Sequence, residues 1–167
     1  MKIAHSQKVA VAVAAVLGLA GASAAYASNT DSQTVNFTIA NISEIDVATG
    51  PINLTVNTAA AGSQPADATA PSSYSITTNA SDNGKKITAA LSAAMPTDVT
   101  LTVLVAAPIA SGTSTGTVTL SATAADVVTG LQGAAQTNVA INYTLNAPVT
   151  AKAQTDSRTV TYTIVDL

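Results

Sequence analysis

Met95-Pro-Thr-Asp-Val-Thr-Leu-Thr-Val-Leu-Val105 is a turn that runs into a strand. Val99, Leu101, Val103 and Val105 fall on alternate positions, with Thr100, Thr102 and Leu104 between them. A period of two sends one set of side chains toward a core and the other toward solvent. Because Leu104 breaks the polar set, the strand is expected inside a sheet, with neighbours on both sides.

The same period recurs in both directions along the chain. Upstream it picks out Ile52, Leu54 and Val56, then Tyr74 and Ile76, then Ile87, Ala89 and Leu91. The last two groups flank Ser81-Asp82-Asn83-Gly84-Lys85, a turn signal that predicts a hairpin with Gly84 at positive φ. Downstream follow Val118, Leu120 and Ala122, then Val139, Ile141, Tyr143 and Leu145, then Val160, Tyr162 and Ile164. Ala59 to Ser73, with Gly62, Pro65 and Pro71, reads as a long polar connection, and Ala124 to Gly133 as a short helical turn. About eight strands joined by Gly/Pro/Ser/Thr turns predict an all-β fold, an antiparallel β-sandwich.

Ahead of these strands stand Val35, Phe37 and Ile39, alternating with Thr34, Asn36 and Thr38. The phase slips at Ala40-Asn41 and returns at Ile45 and Val47, which marks a bulge or a change of sheet. Two outcomes are open for Ser28 to Ala40. It is the first strand of its own sandwich, or it is a strand that leaves to complete a neighbour's sheet.

The N-terminus is a targeting device. Lys2 and Lys8 precede the uncharged run Val9 to Ala20, and Gly21 to Ala27 is rich in small residues and ends Ala25-Tyr26-Ala27. This is the pattern of a secretory signal peptide over 1–27, with cleavage after Ala27 and a single domain over 28–167. The apolar run is too short for a membrane anchor, so no span is expected after cleavage. The expected location is secreted, extracellular or at the cell surface.

Cleavage also removes His5, the only histidine, from a chain that has no Cys and no Trp. Ser-His and Cys-His nucleophile pairs, ordinary zinc sites and thiolate redox centres are then closed to the mature chain. Its bases are Lys85, Lys86, Lys152 and Arg158 against nine acids, a net charge of −5 without a basic patch, which argues against nucleic acid. The acids are scattered and stand mostly beside turn residues, so no catalytic pair and no cofactor is expected. Glu44, Asp46 and Asp82 are the carboxylates nearest to a calcium-binding pattern, though their spacing suits an exposed strand face and a turn better. Asn-x-Ser/Thr sequons occur at Asn36, Asn41, Asn53, Asn79 and Asn142.

Ser75-Ile-Thr-Thr-Asn-Ala-Ser-Asp-Asn-Gly-Lys-Lys-Ile-Thr-Ala-Ala-Leu91, the stretch from Met95 to Val103, Ala124 to Gly130 and Ser157 to Ile164 together resemble small secreted bacterial proteins thought to be immunoglobulin-like sandwiches. The architecture is also loosely similar to fimbrial and matrix-fibre subunits that join by donating a strand. The resemblance implies an immunoglobulin-like β-sandwich but brings no functional residues. Export, the missing catalytic residue types and low charge point to a non-enzymatic structural protein of the cell surface or matrix. Self-association with identical subunits through Val35, Phe37 and Ile39 is the expected mode, and a secreted glycan- or protein-binding module is the alternative.

Overall fold

A computed structural model describes residues 29–79 and 84–167. The expected leader and the Asp82-Asn83 turn tip lie outside the described residues. The chain divides between Thr38 and Ile39, and every strand among the described residues lies in the unit from Ile39 to Leu167.

Among the described residues the fold is all-β, without a helix. Its nine strands are β1 (Ser43–Val47), β2 (Ala68–Thr78), β3 (Lys85–Leu91), β4 (Thr100–Val105), β5 (Thr113–Ser114), β6 (Thr117–Thr119), β7 (Ala125–Leu131), β8 (Ala134–Asn146) and β9 (Val160–Asp166). They form two antiparallel sheets, in the orders β1-β2-β8-β4-β6 and β5-β7-β3-β9. Tyr74, Ile76, Val103 and Ile141 of the first sheet share one core with Ile87, Val127, Val128 and Leu131 of the second, an arrangement consistent with a β-sandwich. As the period of two requires, β3 and β4 bury every second residue.

From β3 onward each strand lies in the sheet opposite to its predecessor. The expected hairpin between β2 and β3 is therefore wrong. β2 pairs with β1 and β8, whereas β3 pairs with β7 and β9. Turn chemistry at Asp82-Asn83-Gly84 marks a reversal, but it does not say whether the returning strand enters the same sheet. Gly84 does hold positive φ, at 68°.

Three other expectations fail for local reasons. Ala124 to Gly133 contains strand β7 and no helix; a register shift in the pairing of β7 with β3 lets Val127 and Val128 both be buried, which disguises the period of two. The polar connection ends at Ala68 and not at Ser73, because Pro71 sits within β2. Proline has no N–H to give, and β1 pairs only with Tyr74 to Thr78, so Pro71 occupies the half of β2 that β1 leaves bare. Ile52, Leu54 and Val56 belong to no strand, although Leu54 packs on the core.

β4 lies between β8 and β6, so its backbone is covered on both sides, and β9 is an edge. β8 carries an extra residue opposite Tyr74 to Ile76, where Asn138 takes φ of 56°. Asparagine tolerates that left-handed conformation better than most residues, which suits it to the bulge.

Candidate functional site

Among the described residues no strand is assigned ahead of Ser43. Val35, Phe37 and Ile39 are 76%, 82% and 77% exposed. Three large apolar side chains at alternate positions, in a stretch with no charge from Ser32 to Ile42, have the pattern of a strand without its sheet.

The chain becomes anchored at residues 40 to 42, and the anchor is Asn79 at the end of β2. Its Nδ2 donates to the Ala40 carbonyl at 2.7 Å, and its Oδ1 accepts from the Ile42 N–H at 2.7 Å. Its own N–H donates to the Ile42 carbonyl at 3.2 Å. One amide offers a donor and an acceptor together, so Asn79 can clamp an entering backbone as a neighbouring strand would. Here lies the physical basis of the phase slip at Ala40-Asn41. In the sequence Asn79 was visible only as a sequon. Asn36, Asn41, Asn53 and Asn142 are exposed, whereas the amide of Asn79 is engaged in this clamp.

Glu44 and Asp46 lie on the exposed face of β1, opposite Thr77 and Ser75. Asp82 lies outside the described residues, and among the described residues no three acidic or metal-ligating side chains converge. The carboxylates that do find cations serve structure. Lys85, buried at the start of β3, pairs with Asp166 of β9, and Lys86 pairs with Asp126 of β7 at 3.0 Å. Arg158 holds Asp156 at 2.7 Å and donates through Nε to the Ala94 carbonyl at 2.9 Å. The Arg158 hydrogen bond, aided by the Ser157 N–H, keeps the Asp156 carboxyl below its ordinary pKa.

The tyrosines are core residues, not a stacking platform. The Tyr74 hydroxyl donates to the Ala106 carbonyl at 2.8 Å, and burial pushes its pKa up to about 12. The hydroxyls of Tyr143 on β8 and Tyr162 on β9 meet at 2.8 Å, one from each sheet. Burial raises both pKa values, most strongly for Tyr162. Among the described residues Phe37 is the one aromatic ring left largely exposed.

Among the described residues no helix is long and apolar enough to cross a membrane, which leaves strand-built spans unaddressed. Comparison with known families, curated proteins and solved structures finds no match.

Proposed function

We propose that this chain is a secreted, non-catalytic structural protein of the cell surface or extracellular matrix, a fibre subunit that joins identical copies by strand complementation. The observation that carries the reading is the exposed, alternating Val35, Phe37 and Ile39 in an uncharged stretch outside both sheets. An extended segment of this kind adds to another sheet through backbone hydrogen bonds, and its alternate side chains fix the register. Asn79 supplies a defined point of departure, so the segment can move without unpairing β1. An immunoglobulin-like connectivity belongs to the same reading. Its support is the pair of antiparallel sheets, of five and four strands, around one core.

The test is electron microscopy and sedimentation of the purified chain from Ser28, beside a version lacking Ser28 to Ile39. Filaments from the longer chain, and a folded monomer from the shorter one, are expected. A longer chain that stays monomeric at high concentration refutes the reading, and so does a shorter chain that still polymerises.

A further inference from the structure

One end of the β-sheet unit carries a cleft of about 830 Å³ with two extended walls, residues 51–59 and 151–158. Met95, Leu101 and Leu145 line it between those walls, and Leu54 and Val56 line it from the first wall, where Ile52 remains 41% exposed. Among the described residues no backbone hydrogen bond reaches residues 50–57 or 152–156, and neither stretch is a strand. The walls are nonetheless held in place. Thr58 accepts from Ala66 at 2.9 Å on one side, and on the other Arg158 reaches the Ala94 carbonyl and Ser92 bonds Thr159. Backbone N–H and C=O groups are obligatory hydrogen-bonding groups, so two fixed walls with free backbone beside apolar side chains suit an extended peptide better than a compact ligand.

We propose that this cleft is the acceptor site for Thr34 to Ile39 of a second copy of the chain, an assignment that rests on the fibre reading above. Shape, charge and reach support that occupant. The cleft is half open to solvent along its length, which suits a strand that enters from another molecule. The donor is uncharged from Ser32 to Ile42 and the first wall is uncharged throughout, while on the second wall Asp156 and Arg158 already neutralise one another. The other charge lining the cleft, Lys152, is exposed and without an ion-pair partner among the described residues, so its ammonium has to stay in water at the rim. With residues 40 and 42 clamped on Asn79, the stretch 29 to 39 is free of that anchor, and at about 3.3 Å per residue it extends about 36 Å, enough to reach a molecule packed alongside. Inserting Val35, Phe37 and Ile39 removes some hundreds of Å² from water on the donor side alone, and with the walls it approaches the ~1,000 Å² of a specific interface.

The chain has no cysteine, so introduced thiols report contacts cleanly. Full-length Thr38→Cys is mixed under a mild oxidant with Asn53→Cys, Thr55→Cys or Asn57→Cys, all exposed on the first wall, and with Thr117→Cys on the edge strand β6 as control. A mixed disulfide dimer with at least one wall variant, on the order of tenfold above the control because docking raises effective concentration, is the expected result. Filaments that form without wall cross-links overturn the acceptor assignment and leave the fibre reading standing. A Thr38→Cys/Thr55→Cys chain that closes its own disulfide at dilution, with no cross-link between copies, shows the cleft filled by its own segment and also overturns the assignment. Absence of any assembly at high concentration takes down both.

Discussion

Replacing Phe37 by alanine separates folding from assembly, because the ring is 82% exposed in the single chain. A substitution at an exposed site outside regular structure shifts folding stability by within about 0.5 kcal/mol. In a complemented sheet the same ring is buried. Its side chain exposes roughly 200 Å², of which about 120 Å² is lost on truncation and reburial, and at about 25 cal/mol per Å² this is about 3 kcal/mol. That corresponds to a critical concentration raised on the order of 100-fold. Sedimentation across a dilution series gives the critical concentration, and urea unfolding of the unassembled chain gives the stability. Asn36→Ala, on the opposite face of the alternation, should move neither by much. If Phe37→Ala unfolds the chain, the ring is a core residue; if it leaves the critical concentration unchanged, the ring is not a knob. Either result defeats the argument.

Gly112 stands at φ 79°, where a Cβ would lie 2.8 Å from Leu131 Cδ2 and 3.0 Å from the Thr129 carbonyl oxygen, whereas Gly116 at φ 85° has open space around it. Gly112→Ala should cost about 2 to 4 kcal/mol and Gly116→Ala about 1 kcal/mol in urea unfolding, the difference being overpacking added to backbone strain. Gly84→Val combines φ 68° with a Cβ 3.0 Å from Leu167 Cδ1, and should destabilise by about 1 to 2 kcal/mol by the same assay. Tyr74, Tyr143 and Tyr162 have raised pKa values, so the stability they give is full below the ordinary tyrosine value of 10 and fades as pH climbs through the folded values. Alkaline titration should show tyrosinate absorbance and unfolding rising together above that point, and tyrosinate appearing well below it in folded protein would contradict the burial. Unfolding midpoints should move by no more than about 3 °C with EDTA or dithiothreitol, since the described residues hold no metal cluster and the chain no thiol.

The strands were legible wherever one face is buried and the other wet. β3, β4, β8 and β9 alternate as the sequence does, since nothing else competes for those positions. Pairing was not legible, because a chain that changes sheet after every strand from β2 onward makes neighbours in sequence into partners across the core. Lys85 meets Asp166 of the last strand, and Tyr143 meets Tyr162 across the two sheets. No turn motif encodes contacts between such distant residues. The donor segment was legible as an alternation without a home. The clamp that launches it was not, because Asn79 looks like any other loop asparagine until its amide is seen between two backbone groups of residues 40 and 42.

How the edges are finished bears on where a second chain can add. β5 and β6, which close one side of the two sheets, have two and three residues, too short to template a new strand. On the other side β1 has only five residues and carries Glu44 and Asp46 outward, charges that oppose addition of an apolar strand. β9 is longer, and its exposed face presents threonines 161 and 163 and Asp166. Among the described residues the stretches 50–57 and 152–156, just after β1 and just before β9, also have free backbone with apolar neighbours. With β1, β5 and β6 blunted, strand addition is confined to the open side of β9 and the cleft that leads into it, and one donor per chain meeting one such acceptor gives a linear polymer. Doubling the donor concentration with a free Thr34 to Ile39 peptide should therefore shorten filaments by capping their open clefts, and filaments that branch or thicken instead would mean that a second edge is in use.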